Sequence, residues 1–199
     1  MSYQVPARTF EAEYVVKKSR FIARVVPVSS RDEVNDAVRQ AHQDYPDARH
    51  HCWAYLLGKP ADALSAGMSD DGEPAGTAGK PILNVLQFGQ LGDVLVVVIR
   101  YFGGIKLGAG GLVRAYSSAT VQAIEQAPVA TQRELLQFVA VGGFGSEQPL
   151  RHYLAGVAGQ LLSVEYLEQV TMTVAVSAES IDSLQAFCAA NAITLRQQA

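Results

Sequence analysis

Residues 93–116 read DVLVVVIRYFGGIKLGAGGLVRAY. The first ten of these residues predict a strand over 93–102 that is apolar on both faces, and such a strand is typical of the covered centre of a sheet. A turn with five glycines follows, and Leu112 and Tyr116 begin a pattern with helical spacing that predicts a helix over 112–126. A central strand that enters a helix through a glycine-rich turn therefore organises this half of the chain.

The rest of the N-terminal half alternates between strand and helix patterns. A serine followed three residues later by glutamate, Ser30 and Glu33, has the spacing of a capping box and marks a helix start. Alternating apolar residues mark the strands. The predicted elements are strands over 8–16, 20–28, 51–57 and 93–102, helices over 31–44, 77–88 and 112–126, and a long polar loop over 58–76.

The last seventy residues predict a second unit with another element order. The predicted elements are strands over 135–144, 163–167, 170–176 and 193–197 and helices over 147–159 and 178–190. This βαββαβ order is that of the ferredoxin-like split motif. Charge changes at the same place, since residues 1–128 carry 13 basic and 13 acidic side chains and residues 129–199 carry 3 and 6. We therefore predict an α+β protein with two domains, 1–128 and 129–199.

Composition excludes several classes of protein. The chain of 199 residues is 49% hydrophobic and 18% charged, which suits a folded globular protein. Its net charge of −3 argues against a basic nucleic-acid coat, although a local basic patch is compatible with it. The longest apolar run, Val94–Ile99, is far shorter than the roughly 20 residues that cross a bilayer. With no secretory signal and only Cys52 and Cys188, we expect a cytoplasmic protein without disulfides or a membrane contact.

The loop SDDGEPAGTAGKP at 69–81 holds three carboxylates within four residues, Asp70, Asp71 and Glu73. Clustered carboxylates can bind Mg²⁺ or hold a proton at neutral pH, which favours a cation site or an acid–base pair. The alternative is a solvated loop in which the aspartates accept backbone hydrogen bonds and Thr77 caps the next helix. The residues alone leave both interpretations open.

The glycine-rich turn indicates an anion site. Free backbone N–H groups at a helix start attract anions, and Lys106 and Arg114 add positive charge there. The glycine spacing matches neither the GxxxxGK[ST] phosphate loop nor the GxGxxG dinucleotide pattern. The alternative is that Gly110 and Gly111 allow the helix to pack closely on strand 93–102.

Two adjacent histidines open the strand at 51–57. On a strand, His50 and Cys52 face one way and His51 and Trp53 face the other, so the two histidines do not easily share one metal ion. Cys52 has apolar neighbours, and we interpret it as a small buried hydrophobic residue rather than a nucleophile.

Three of these segments carry a family resemblance. SDDGEPAGTAGKPIL at 69–83 and VVVIRYFGGIKLGAGGLVRAY at 96–116, with HHCWAY upstream, resemble the signature of the IMPACT family and of its bacterial YigZ-type members. The resemblance covers about residues 8–128. It implies a first domain similar to the second domain of a small-subunit ribosomal protein and to domain IV of elongation factor G, and a C-terminal domain similar to domain V of that factor.

The resemblance also bears on function. It implies a role linked to nucleic acid or to the ribosome for bacterial members, and it brings no established catalytic residues. Eukaryotic relatives regulate translation by competing for the activator of a kinase that phosphorylates an initiation factor. They carry a different partner domain, of which this sequence shows no trace, so we do not expect that mechanism here.

Together these observations predict a non-catalytic, cofactor-free regulator of translation that binds RNA or the ribosome. A stacking aromatic, Tyr101 or Phe102, and a protein contact through the acidic C-terminal domain complete this prediction. One alternative is a Mg²⁺-dependent enzyme of small-molecule phosphate or hydrolytic chemistry that uses Asp70, Asp71 and Glu73, and another is a protein-interaction module. The predicted RNA-contacting residues are Lys106, Arg114, Gly108, Gly110, Gly111, Arg100, Lys80, Arg49 and His50.

Overall fold

A computed structural model describes residues 2–133 and 135–197 of the chain. Contacts within the chain divide these residues into two compact units, one of residues 3–132 and the other of residues from 133 onward together with Ser2. The first unit contains these strands and helices, except for the first residue of β1 and the last residue of β7: β1 (Ser2–Pro6), β2 (Phe10–Val16), β3 (Ser19–Pro27), β4 (His50–Lys59), β5 (Asp62–Ser69), β6 (Val94–Tyr101), β7 (Val129–Arg133), α1 (Arg31–Asp44), α2 (Gly79–Phe88) and α3 (Ala109–Gln126).

The N-terminal unit is a three-layer α/β/α arrangement around one sheet. Strand order is β2-β3-β6-β4-β5, and every neighbouring pair is antiparallel. Helices α2 and α3 cover one face of the sheet and α1 covers the other. Strand β6 lies in the middle and sends alternate side chains into the two cores, Val96 and Val98 to one and Val97 and Ile99 to the other. The predicted central position of this strand is confirmed.

The predicted polar loop over 58–76 is wrong in its first half. Residues Asp62–Ser69 form β5, an edge strand that pairs with β4 across a register shift at Leu57 and Gly58. The segment reads DALSAGMS and lacks the β-branched and aromatic residues that mark strands in a sequence. This segment is a strand because it pairs with β4. The sequence pattern also predicts β4 too short, over 51–57 rather than His50–Lys59.

Strands β1 and β7 also escape the sequence pattern. They form a separate two-stranded sheet. This sheet joins the first unit through backbone hydrogen bonds, from Ala7 N to the carbonyl of Pro128 (2.8 Å) and from Gly92 N to the carbonyl of Gln4 (2.9 Å). Both strands are five residues long, too short for alternation to distinguish them from loops.

The second unit has a single four-stranded antiparallel sheet with the order β11-β8-β10-β9. Its core lies between this sheet and two helices. The observed βαββαβ order confirms the predicted ferredoxin-like arrangement. The further likeness of both units to ribosomal-protein and elongation-factor domains stays a prediction. The elements are β8 (Leu135–Gly142), α4 (Glu147–Gly156), β9 (Gln160–Tyr166), β10 (Val170–Ser177), α5 (Ile181–Ala190) and β11 (Thr194–Gln197).

The start of α1 has the helix cap that the sequence predicts. The hydroxyl of Ser30 accepts a hydrogen bond from the backbone N–H of Glu33 (3.3 Å) at the start of α1, so the predicted cap is confirmed. The Glu33 carboxylate accepts in return from the N–H of Ser29 (2.7 Å), one residue earlier than a capping box requires.

Among the described residues, no helix has both the length and the apolar character needed to span a membrane.

We expect residues 1–133 to fold without the rest of the chain, because both cores of the three-layer unit lie within this range and about 130 residues suffice to close a core. The fragment should show one cooperative thermal transition by circular dichroism. A fragment ending at Pro128 lacks β7 and should melt at a lower temperature. The domain boundary after residue 128 stays a prediction. Non-cooperative melting of both fragments would contradict independent folding of the first unit.

Candidate nucleic-acid interface

The loop between β5 and α2 is organised by the Asp70 carboxylate. Its Oδ1 accepts hydrogen bonds from the backbone N–H groups of Ala78 (3.0 Å) and Gly79 (2.8 Å), and its Oδ2 accepts from Gly76 (2.8 Å). Burial by itself would raise the pKa of Asp70, but these three donors outweigh it and hold the pKa below its usual value. The expected cap, Thr77, is wrong, since its hydroxyl donates to the carbonyl three residues earlier (2.6 Å).

Asp71 attaches the same loop to the start of β4. Its carboxylate Oδ2 accepts from the backbone N–H of His51 (2.6 Å), and its carbonyl oxygen lies 2.8 Å from Nδ1 of His50. The residue adopts φ 38°, in the left-handed region that an aspartate tolerates better than most side chains. Asp71 therefore contacts the first two residues of β4.

Glu73 turns inward to a buried ion pair. Its Oε1 accepts from Nη1 of Arg100 (2.5 Å) and from the hydroxyl of Tyr116 on α3 (2.9 Å). The two charged side chains are 4% and 8% exposed. Burial raises the pKa of Tyr116, with Cys52 and Glu73 acting in the same direction, so the hydroxyl stays a hydrogen-bond donor. The network joins the loop, β6 and α3.

Cys52 lies at the edge of this network. Its thiol donates to the carbonyl of Asp70 (2.9 Å), and its sulfur lies 3.3 Å from the hydroxyl oxygen of Tyr116. Burial raises the pKa of the Cys52 thiol to about 12. A thiol that stays protonated at neutral pH is a poor nucleophile, so its interpretation as a small buried residue is confirmed.

The three loop carboxylates thus have separate partners. Asp70 binds backbone donors, Asp71 binds the start of β4, and Glu73 binds Arg100 and Tyr116. Among the described residues, no cluster of three metal-ligating side chains contains Asp70 or Glu73. Asp70 accepts backbone hydrogen bonds, as the solvated-loop interpretation predicts. Glu73 is instead buried in an ion pair with Arg100, which neither the cation-site nor the solvated-loop interpretation predicts.

A cleft of about 390 Å³ lies above this network, where β6 ends and α3 begins. Across the sheet, His50 is the register partner of Arg100, so β4 and β6 place these two side chains side by side. The helix starts after Gly108, at φ 72°, and has no side-chain cap and no acidic residue in its first turn. The cleft is lined by Arg49, His50, Glu73, Pro74, Arg100, Phe102, Lys106, Leu107, Gly108, Ala109 and Leu112.

The structure gathers five of the nine predicted contact residues in this cleft, namely Arg49, His50, Arg100, Lys106 and Gly108. Four do not line it. Lys80 is exposed on the first turn of α2, and Gly110, Gly111 and Arg114 lie on the first two turns of α3.

The expected packing of Gly110 and Gly111 on β6 is wrong. A Cβ at Gly111 would meet the Leu107 side chain at 3.0 Å, and one at Gly110 would meet only the end of Arg114 at 3.7 Å. The close approach occurs instead at Gly103, where a Cβ would lie 2.0 Å from the backbone of Lys18. The glycine that the fold requires is thus the first of the turn.

The sequence pattern missed most of the apolar wall of the cleft. Strand alternation correctly places Arg100 and Phe102 on one face, and both line the cleft, with the Arg100 guanidinium 5.7 Å from the Phe102 ring centroid. Tyr101 faces away and donates to Asp47 (2.9 Å). Leu107 and Leu112 join the wall through the turn conformation, which residue spacing alone does not specify.

Comparison with known proteins identifies the family. The model of the Impact N-terminal domain matches residues 17–124, which include the loop, β6, the glycine-rich turn and most of α3. The chain belongs to the IMPACT family.

Bacterial members of the IMPACT family match nearly the whole chain. An IMPACT family member from Haemophilus influenzae is 38% identical over 91% of this chain and 88% of its own length. The IMPACT family member YigZ from Escherichia coli is 35% identical over 93% and 91%, which supports the YigZ-type assignment. A crystal structure described as that of a hypothetical protein covers 100% of this chain and 98% of its own, with TM-score 0.83 and 33% identity.

Eukaryotic members match a smaller share of the chain. Protein IMPACT from Xenopus laevis is 35% identical over 95 residues, which cover 46% of this chain and 30% of that protein. The residues that match the Impact N-terminal domain, 17–124, all lie in the unit that holds the cleft.

Glu73→Ala should lower the free energy of unfolding by about 3–5 kcal/mol, because it leaves the Arg100 guanidinium buried without its carboxylate. Tyr116→Phe should cost about 1 kcal/mol, since it removes one hydrogen bond and keeps the ring. Urea denaturation measures both changes. Asp36→Ala, which removes an ion pair exposed on α1, is the control and should cost at most about 1 kcal/mol. Equal losses in Glu73→Ala and Asp36→Ala would contradict a structural role for the buried pair.

Asp70→Ala should lower stability by about 0.5–2 kcal/mol at pH 7, because the N–H groups that begin α2 lose their acceptor. The folded protein holds the pKa of Asp70 below its unfolded value, so the stabilisation is complete above that unfolded pKa, near about 4. It is lost as the pH falls through the lower folded pKa. Denaturation of both proteins between pH 7 and pH 2 should show the difference shrinking toward acid, and a constant difference would contradict this assignment.

Proposed function

We propose that the chain binds RNA, including RNA exposed on the ribosome, through this cleft and takes part in regulating translation in the cytoplasm. The observation that carries the proposal is the convergence of Arg49, His50, Arg100 and Lys106 on the uncapped start of α3. The half of the chain that holds them, residues 1–128, has no net charge. Attraction of a polyanion would therefore depend on these local groups and not on the net charge of the unit.

The cleft offers two kinds of phosphate contact. Arg49 and Lys106 are exposed and able to reach a backbone phosphate, whereas the charge of Arg100 is already matched by Glu73. The Nε of Arg100 is buried and has no hydrogen-bond partner among the described residues. A phosphate at the start of α3 would add backbone N–H donors to these groups. Such contacts orient an RNA strand without reading its sequence.

An aromatic side chain completes the surface. Phe102 is 56% exposed although it lies at the end of a buried strand. A base stacked on an aromatic ring contributes about 1–3 kcal/mol and is accepted whatever its identity. The combination of few phosphate contacts and one stacking ring favours weak, sequence-tolerant binding of single-stranded RNA. A micromolar affinity follows, and the ribosome would supply further contacts.

Family membership supports the link to translation. Eukaryotic IMPACT proteins are relatives of this chain, and the resemblance discussed above implies translational control for those relatives. The C-terminal unit lies outside residues 17–124, which match the Impact N-terminal domain, and residues 129–199 carry three basic and six acidic side chains. We assign it a protein contact rather than a phosphate contact. Cys52 and Cys188 are both free and buried, which agrees with a reducing compartment.

A salt-dependent binding assay tests the proposal. The double variant Lys106→Glu with Arg49→Glu should weaken binding of a labelled single-stranded RNA of mixed sequence. Its plot of log affinity against log salt should be flatter by about 1.4 units, because two phosphate contacts are lost at about 0.7 each. The double variant Arg31→Glu with Arg39→Glu makes the same charge change on exposed positions of α1 and should leave the slope unchanged.

Two further arms separate the alternatives. Lys80→Glu with Arg114→Glu tests whether the interface extends beyond the cleft along α2 and α3. A thermal-shift screen with nucleotides and Mg²⁺ tests the enzyme alternative, and a stabilisation that needs both would favour it. If the cleft variant binds RNA and purified ribosomes as the parent does, with the same salt slope, the cleft is not the RNA site.

A further inference from the structure

A second cluster of side chains lies at the opposite face of β4. Because side chains alternate along the strand, His50 faces the cleft and His51 faces α1. The ring of His51 packs against that of His42, with centroids 3.8 Å apart and planes at 31°. Asp71 approaches the same ring from the loop. The neighbour of His51 on this face therefore comes from the last turn of α1.

These three residues present ligating atoms to one point. One such atom from each of His42, His51 and Asp71 lies within 4.8 Å of the other two. Nδ1 of His51 is 3.9 Å from Oδ2 of Asp71. In the tautomer with its proton on Nε2, both facing atoms carry lone pairs and no hydrogen lies between them. A cation about 2.0–2.2 Å from each atom fits that separation.

The His51 side chain is buried, with 2% of its surface exposed. Nε2 has no hydrogen-bond partner among the described residues, and the backbone carbonyls of Ala41 and Tyr45 lie near this ring. A metal-bound histidine commonly turns its second nitrogen toward a carbonyl, which fixes the ring. His42 is exposed, so its ring is free to tilt away from the stack toward a ligand position.

We propose that His42, His51 and Asp71 bind one divalent first-row transition-metal ion, such as Zn²⁺. Two imidazoles and one carboxylate match the nitrogen and oxygen preferences of these ions and leave at least one position for water. The ion joins the end of α1, the start of β4 and the loop after β5. The proposed ion lies on the α1 side of β4 and not in the cleft. A test of this site is therefore independent of the function proposed for the cleft.

Titration of the full chain with Zn²⁺, in competition with a chromogenic chelator, tests the site. We expect one equivalent to bind. His42→Ala should weaken this binding by about tenfold or more, and so should Asp71→Asn. Both positions are at least partly exposed, and circular dichroism checks that the variants are folded. His152→Ala, which removes an exposed histidine from α4, is the matched control and should bind Zn²⁺ as the parent does.

Two additional readouts identify the ligands. Co²⁺ in place of Zn²⁺ should give visible absorption bands that His42→Ala loses and His152→Ala keeps. Saturating Zn²⁺ should raise the melting temperature of the parent but not of His42→Ala, since an ion that binds only the folded chain stabilises it. Absence of saturable binding, or equal affinity in the parent and His42→Ala, would overturn the proposal.

Discussion

The buried ion pair between Glu73 and Arg100 joins the segments of the first unit that meet beneath the cleft. Two charges that are 4% and 8% exposed have lost most of their hydration, and they are tolerated only because each has a charged partner at hydrogen-bond distance. The hydroxyl of Tyr116 adds a second donor to the same carboxylate oxygen. These three side chains come from a loop, the central strand and a helix, so the network determines how the three segments meet.

The same pair sets the electrostatics of the cleft. Since Glu73 cancels the charge of Arg100, the function proposed for the cleft depends mainly on Arg49 and Lys106 and on the start of α3. The Nε of Arg100 is buried and has no hydrogen-bond partner among the described residues. A strongly basic patch would bind any polyanion tightly, whereas the proposed site has few cations beside the exposed ring of Phe102, which suits a reversible contact.

Sequence reasoning reached the fold because the strongest patterns belong to the centre of the molecule. Strand β6 is apolar on both faces, and its position follows from that alone. Strands such as β5 and β7 are stabilised mainly by pairing with a neighbouring strand. Their own residues have low strand propensity, so the sequence pattern does not reveal them. Five of the residues predicted from the sequence to contact RNA line the cleft, and their role in binding stays a prediction. The partner of Glu73 was out of reach, because Arg100 is 27 positions away and nothing in the spacing connects them.

Asp71 explains why the two sides of β4 are not independent. Its carbonyl oxygen contacts His50, which lines the cleft, and its carboxylate binds the backbone of His51, which packs on α1. The neighbouring Asp70 fixes the loop to the start of α2, and Glu73 fixes it to β6. A segment tied at three points within four residues has little freedom to move as a lid. The three attachments hold the loop in one conformation. The wall that the loop gives to the cleft is therefore formed before any ligand binds.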